Sequence, residues 1–472
     1  MTLKHSKYVL PNIFYPQQKE ALEFLRQFLN SNELEATLSG YAGTGKTFLL
    51  DYFVNKMCNV SVCPTAPTHR AVRQVEKSLN KRGRTLQSLH GLRPNLDISN
   101  FDISNPQFDP RGNTYIKNYK LVIIDEASMI TDSIYELNLK RAKEFGVKIL
   151  YIGDPLQLPP VQKGKTSKTG SKAFSVKNIF NLTQIVRQEE GNPLLELFPL
   201  IRYDVANNTR TFVEHIIKNR RNIKDNTGYE VVNDKTFNNY LLEDYRETIA
   251  NKQVDKFRIL TFTNDSVKKH NAFVRNKIIH NNTQILTKDD VLTSYTTIVD
   301  EFLSPVVTNS DDYVIENIRE YINPNDVKTW AVNLKNTSTN LPTNTIQIVD
   351  HKDKSFIKYY KLLKELHNEA LNSHRSDRAK KWVKYYTTKE ELLTMVQFPL
   401  YNKQMVKKDI DYAYAITIHK SQGTTFDTVF IDLTDILYKN YNGKLYKRRL
   451  DILNRLIYVA ISRARNKVII KL

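Results

Sequence analysis

The eight residues Gly40-Tyr41-Ala42-Gly43-Thr44-Gly45-Lys46-Thr47 satisfy the spacing G-x-x-x-x-G-K-[ST] in full. Glycines at these positions let successive backbone N–H groups curl around phosphate oxygens, and a helix starting behind them adds the positive end of its dipole. Lys46 can then reach the β- and γ-phosphates of ATP, and the Thr47 hydroxyl can ligate Mg²⁺. Asp125-Glu126 closes the apolar run Leu121 to Ile124. An acid pair at the carboxyl end of a buried strand lies where open α/β sheets bind ligands. There Asp125 would hold Mg²⁺ and Glu126 would polarise an attacking water. A surface Asp-Glu after a strand is common, so this pair takes its meaning from the phosphate loop. Gln157, in Gly153-Asp154-Pro155-Leu156-Gln157, can sense the γ-phosphate or the water, or simply bond its own turn. Phosphoryl transfer also needs positive charge at the equatorial oxygens, and an arginine finger contributes roughly 10³ to 10⁵ in rate. Arg187, in LTQIVRQ, and Arg463, in YVAISRAR, are the candidates among many solvated cations.

These groups need a scaffold that brings distant segments to one edge. A helix is expected from Pro16 to about Leu29, then a strand Ala36 to Ser39, the glycine-bearing turn, and a helix with Leu49, Leu50, Phe53, Val54 and Met57 at three- and four-residue spacing. Short apolar runs at Val60 to Pro64, Leu121 to Ile124 and Val147 to Ile152 read as parallel strands covered on both faces. The pattern breaks over 93–117, where three prolines accompany Ile98, Phe101, Ile103 and Phe108. That stretch reads as an inserted β-hairpin. A second α/β unit starts near residue 190, with strands expected at Arg258 to Phe262, Tyr414 to Ile418, Val429 to Leu433 and Val468 to Leu472. Residues 283–404 interrupt it, β-prone at first and then helical over Phe356 to Leu371 and Ala379 to Tyr386. Phe356, Tyr360, Leu363 and Ala370 share one helical face and read as packing residues.

At 472 residues, 40% hydrophobic and 25% charged, the chain has the size of a multi-domain globular protein. Its longest apolar runs are strand-sized, and its first residues hold no apolar core of signal-peptide length. No membrane association is expected, and the expected compartment is cytoplasmic. Cys58 and Cys63 are too few for a disulfide framework. They read as plain buried or half-buried thiols. Seventy Lys+Arg against 50 Asp+Glu leaves a net charge of +20, as a polyphosphate partner would favour. An AT-rich genome, which enriches Lys, Asn, Ile, Tyr and Phe, would supply part of that lysine.

The segments YAGTGKT, CPTAPTHRAV, TLQSLHGL, VIIDEASM, YIGDPLQLPPV, LTQIVRQ, ILTFTNDSVKKHN, AYAITIHKSQGTTFD and YVAISRAR occur in this order between residues 41 and 465. Together they resemble superfamily 1 helicases of the 5′→3′ branch (superfamily 1B), with RecD-like enzymes as relatives. The resemblance implies an α/β fold of two RecA-like P-loop lobes carrying an inserted β-hairpin (pin) and an inserted SH3-like and helical domain. It places the first lobe at 1–92 and 118–187, the pin at 93–117, the second lobe at 188–282 and 405–472, and the larger insert at 283–404. It casts Gln18 as the residue that reads adenine, with Gly43, Thr44, Gly45, Lys46, Thr47, Asp125 and Gly423 around the nucleotide. Lys46, Glu126, Gln157, Arg187 and Arg463 become the catalytic set. Thr68, His69, Ser88 and His90 would touch single-stranded DNA from the first lobe, and Thr263, Asn264, Thr417, His419 and Ser421 from the second. Phe101 or Phe108 would sit at the tip of a duplex-splitting pin.

The implied activity is ATP-dependent 5′→3′ translocation with unwinding of duplex DNA, ATP and Mg²⁺ being the cofactors and a nucleotide cleft between the lobes the motor. The implied partners are single-stranded DNA and duplex junctions, with a single-stranded-DNA-binding protein as a candidate and a monomer as the expected state. The AT-rich bias and this likeness together point to a phage origin and a place in DNA replication or recombination. A strand translocase or RNA-remodelling ATPase is the nearest alternative, because backbone contacts do not specify the sugar. A P-loop ATPase with no nucleic-acid track would have no use for the paired arginines and the TIHKSQG segment, and an inactive nucleic-acid-binding module would have none for the intact Lys46, Glu126 and Arg463.

Overall fold

The structure is a computed structural model that describes residues 14–96, 102–103, 107–110, 112–162, 165–166, 170–186, 191–250, 256–279, 284–299 and 305–472. The chain forms two compact units, one containing Thr114–Gly191 and the residues up to His90, the other containing Gly91–Asn113 and Asn192–Leu472.

The first unit is a six-stranded parallel sheet. In chain order its elements are helix α1 (Pro16–Asn30), strand β1 (Glu35–Gly40), helix α2 (Lys46–Tyr52), β2 (Val62–Ala66), α3 (His69–Leu79), β3 (Arg84–Thr85), β4 (Leu121–Ile124), α4 (Asp132–Phe145), β5 (Lys148–Gly153) and β6 (Ile179–Leu182). The sheet order is β6-β1-β5-β4-β2-β3, and every pair is parallel. Alternate side chains enter two cores. Leu121 and Ile123 of β4 join Leu38 of β1 and Leu22 and Leu25 of α1 on one face. Val122 and Ile124 join Ile149 and Tyr151 of β5 on the other. Burial on both faces accounts for the uninterrupted apolar runs of these strands. The chain leaves β1 for β2 by crossing past β5 and β4, so the carboxyl ends of β1, β4 and β5 border a topological switch, where doubly wound sheets place ligands.

The second unit contains a sheet of the same kind. Its parallel strands are β7 (Thr227–Val232), β8 (Phe257–Thr261), β9 (Ala415–Thr417), β10 (Phe426–Asp432) and β11 (Ala464–Lys471), in the order β7-β11-β10-β8-β9. Helix α5 (Asn264–Val274) follows β8, and α6 (Leu450–Ser462), buried along most of its length, precedes β11. Between β8 and β9 the chain builds a separate six-stranded sheet, mostly antiparallel, that includes the long pair Asp312–Ile322 and Lys328–Asn336. It also builds two helices, Phe356–Leu371 and Arg375–Glu391. Leu363 and Ala370 are buried there, with Phe356 and Tyr360 packed against the same cluster, so that helical face is core.

The expected hairpin exists. Leu92–Pro94 pairs antiparallel with Phe108–Pro110, and Leu96 and Ile103 pack against the helical cluster of the insert. Ile103 N donates to Gln404 Oε1 at 3.1 Å. The strand expected at Val60 to Pro64 starts two residues later, and the last strand begins four residues earlier than Val468. Strands β6 and β7 escaped the sequence reading because IFNL and TGYEVV carry Asn, Gly and Glu within short runs. Cys63 is buried and Cys58 half-buried, both as free thiols. Burial pushes both up, Cys58 to about 12, which leaves them unreactive. Among the described residues no helix is long and apolar enough to cross a membrane.

Candidate active site

The glycine-bearing turn joins the end of β1 to α2. Gly43 and Gly45 have φ of 86° and 80°, the left-handed region that glycine enters at little cost. A Cβ on Gly45 would also meet Gln18 Nε2 at 2.7 Å. Thr44 is buried with its hydroxyl on Tyr41 O at 2.9 Å, so its backbone faces the turn while its side chain holds it. Lys46 Nζ donates to Gly40 O and Tyr41 O at 2.7 and 2.9 Å. Thr47 is half-buried in the first turn of α2.

Two neighbouring strands complete the site. Asp125 follows β4 and receives the Glu126 N–H at 2.8 Å. Burial pushes its carboxyl above the usual range, countered by that N–H and by the Lys46 charge. Glu126 has φ 52°, a strained conformation for a residue with a side chain. Gly153, ending β5, admits the turn after Glu126, since a Cβ there would lie 3.1 Å from Ala127 N. Asp154, next in line and 1% exposed, accepts Ala42 N at 2.9 Å and Leu156 N at 3.0 Å. It thereby ties the segment bearing Gln157 to the phosphate loop. In the sequence, the signal for Asp154 is an acid directly after a strand-ending glycine. Gln157 is buried, 7% exposed.

Gln18 is buried against the loop. Its Nε2 donates to Thr44 O at 3.3 Å and its Oε1 accepts Tyr15 N at 3.2 Å. Gln17 Oε1 instead accepts Thr183 N and Gln184 N, both at 3.0 Å. Reading an adenine from Gln18 would require exchanging these bonds. Arg187 lies outside the described residues; Val186, just before it, donates its N–H to Gly43 O at 2.8 Å.

The two sheets repeat one local device. Thr68 caps α3 after β2, accepting Ala71 N at 3.2 Å, and Thr263 caps α5 after β8, accepting Ser266 N at 3.2 Å. His69 and Asn264 follow them, both exposed. In the second unit Asp435, which the sequence reading missed, receives Phe262 N, Thr263 N and Thr263 Oγ1, each at 2.8 Å. Thr417 and His419 are half-buried, and the His419 ring lies 5.9 Å from that of Phe262. Ser88 is half-buried beside Arg84, at 3.4 Å.

Two expected strand contacts are corrected by burial. His90 is 0% exposed and its Nε2 lies 2.6 Å from Asn138 Oδ1, so it is a core histidine. Ser421 is also 0% exposed and donates to Ile418 O at 2.8 Å, so its side chain braces the loop. Phe101 lies outside the described residues, and Phe108 is 49% exposed on the hairpin. Gly423 has φ 75°, and the next residue, Thr424, offers its carbonyl to Arg463 Nη1 at 3.2 Å. Arg463 is 5% exposed, with Nε on Val459 O at 3.1 Å and Nη2 on Ser462 Oγ at 2.9 Å.

The fold and this site define a P-loop nucleotide-binding protein with two RecA-like lobes. Residues 14–213 match an AAA domain model, and residues 412–470 match a UvrD-like helicase C-terminal domain. The chain is 22% identical to the ATP-dependent DNA helicase Dda of enterobacteria phage T4, over 96% of this chain and 97% of that one. It is 26% identical to the Pif1 helicase of Campylobacter jejuni over 92% and 88%. It is 24% identical to an uncharacterized Acanthamoeba polyphaga mimivirus protein, R530, over 92% and 96%. A Bacteroides Pif1 structure with ADP-AlF3 and single-stranded DNA shares the fold at a TM-score of 0.52 and 17% identity, over 95% and 91%. Along most of its length the chain is similar to the ATP-dependent DNA helicases Dda and Pif1.

Proposed function

We propose that this chain is an ATP-dependent DNA helicase that translocates 5′→3′ on single-stranded DNA and opens duplex junctions, working as a monomer. The observation that carries the reading is the convergence, at one sheet edge, of the Gly43–Thr47 loop, Asp125-Glu126 and the Asp154–Gln157 turn. The residues present fit Mg²⁺: a threonine hydroxyl and a carboxylate are hard oxygen donors, and a cation would offset the burial that raises Asp125. Bound there by Thr47 and Asp125, Mg²⁺ would neutralise charge on the β- and γ-phosphates. Lys46 exchanges its carbonyl partners for phosphate oxygens, Glu126 orients the attacking water, and Gln157 senses the γ-phosphate. Arg187 and Arg463 supply guanidinium charge to the transferred group.

Strand grip falls to Thr68, His69 and Ser88 in one lobe and Thr263, Asn264, Thr417 and His419 in the other, through phosphate contacts that fix position without reading bases. The hairpin bearing Phe108 is the separating element. The same reading gives the protein a viral role in DNA replication or recombination, in the host cytoplasm, with a single-stranded-DNA-binding protein as a candidate partner; two of the chain's relatives come from phage T4 and mimivirus. The test is ATP hydrolysis with and without single-stranded DNA, followed by unwinding of duplexes bearing only a 5′ or only a 3′ tail. Stimulated hydrolysis with unwinding from the 5′ tail is expected; opening from the 3′ tail alone would reverse the polarity, and stimulation by RNA alone would move the substrate.

A further inference from the structure

Between β10 and α6 the chain makes a two-stranded hairpin, Tyr438–Tyr441 paired with Lys444–Lys447, that joins no other sheet. Its turn is Asn442-Gly443, with φ of 50° and 80°, the pattern of a tight two-residue hairpin loop. Residues 438–449 contain five cations, Lys439, Lys444, Lys447, Arg448 and Arg449, and no acid. Arg449 is engaged with Asp451 at 2.8 Å. The register sets Lys439 opposite Tyr446, and Lys444 shares that face at period two. Tyr446 and Leu445 are 52% and 59% exposed. Single exposed apolar residues are ordinary on a surface; what singles out Tyr446 is its place between Lys439 and Lys444 on one face of the hairpin. Cations interleaved with an aromatic platform suit single-stranded nucleic acid, whose phosphates and bases alternate along the strand.

The hairpin base abuts the segment assigned to strand grip. Arg448 lies over the Phe262 ring at 4.5 Å and donates from Nε to Asp435 O at 3.3 Å. Asp435 in turn holds Phe262 N, Thr263 N and the Thr263 hydroxyl. We propose that this hairpin is a further single-stranded-DNA site, continuing the Thr263–Asn264 track of the second lobe, with Lys439 and Lys444 on phosphates and Tyr446 stacked on a base. The proposal rests on the helicase reading above.

The test measures binding of a fluorescent oligodeoxythymidine across a salt series to the full chain and to the double variant Lys439→Gln/Lys444→Gln. Each single-strand phosphate neutralised contributes about 0.7 to the slope of log affinity against log salt, so the variant's slope should be shallower by about 1.4. Between about 50 and about 200 mM salt, the wild-type advantage should shrink roughly sevenfold. Tyr446→Ala should weaken binding roughly tenfold at an unchanged slope, as stacking without charge requires. Hydrolysis without DNA serves as the folding control and should match wild type in both variants. Equal slopes for the double variant and a salt-sensitive wild type would overturn the hairpin site. A change confined to blunt duplex would overturn its single-strand assignment. A wild type with no salt-sensitive binding would instead remove the helicase reading on which the proposal stands.

Discussion

Glu126 keeps a backbone conformation that costs a residue with a side chain of order 1–3 kcal/mol, and it does so beside a carboxylate whose burial disfavours its charge. Both are costs to the nucleotide-free protein. The Asp125 pKa is raised in the folded state, so the fold binds that proton more tightly than the unfolded chain does. Stability is therefore lost as pH rises from the ordinary carboxylate range through the raised value. Asp125→Asn should raise the Tm at pH 7.5 in the absence of nucleotide, show little gain at pH 4, and abolish Mg²⁺-dependent hydrolysis. Thermal melts at the two pH values check the sign; a Tm gain larger at pH 4 would contradict it. Lys46→Ala should lower turnover by at least about 100-fold, the scale for removing one preorganised charge-stabilising donor. It should leave oligonucleotide affinity within about twofold, because the proposed strand contacts lie elsewhere. Parallel hydrolysis and binding titrations check that split.

The motif reading located these groups because phosphate chemistry tolerates few substitutes at fixed spacing. It could not separate His69 from His90. Both sit in similar short segments, yet one is exposed at a helix start and the other is fully buried on Asn138. Asn138 lies 48 residues away, and no local pattern announces such a partner.

Strands β4 and β5 were legible as elements because both faces are buried and their interior positions are apolar, whereas the edge strand β6, and β7 with Arg221–Lys224 paired on its outer side, carry polar residues and were missed. The inserted hairpin was legible from its prolines and alternation. Its seat was not, since Ile103 and Gln404 are 301 residues apart. Gln404 receives the Ile103 N–H and lies 3.0 Å from the buried His367, whose ring meets Trp382. A hairpin braced in this way can bear the load of duplex opening, whereas an unbraced one would yield. Ile103→Ser combined with Gln404→Ala should reduce unwinding of a 5′-tailed duplex by about tenfold, if roughly 1.4 kcal/mol of bracing is lost. DNA-stimulated hydrolysis should stay near wild type. Measuring both rates on one preparation decides it; equal losses would assign the contact to general stability.

At the scale of the molecule, the insert interrupts the second lobe between β8 and β9, and the joint between them is ionic and dry. Arg258 of β8 is 1% exposed, lies over the Phe426 ring, and bonds Ala413 O and Asp312 Oδ2, the latter at 3.0 Å. Close by in sequence, Arg275 meets Asp290 at 3.0 Å, and Asp290 also accepts the Tyr414 hydroxyl at 2.7 Å. Hydrophobic patterning gives no warning of such a joint, because charged residues in a sequence are ordinarily assigned to the surface. Removing one partner of a buried pair leaves an uncompensated charge and costs about 3–5 kcal/mol, whereas replacing both with apolar groups of similar volume is close to neutral. Asp312→Ala should therefore lower the urea midpoint of the whole second unit, insert and lobe together, and Arg258→Met/Asp312→Leu should recover most of that loss. Tryptophan fluorescence reports the insert through Trp330 and Trp382, and hydrogen exchange of β8 and β10 reports the lobe. If the two transitions separate in the wild type, the insert folds independently and the ion pairs do not couple it to the lobe. If they coincide in the wild type and separate only in Asp312→Ala, the buried pair is the element that makes insert and lobe one cooperative body, through which load on the hairpin would reach the strand-gripping lobe.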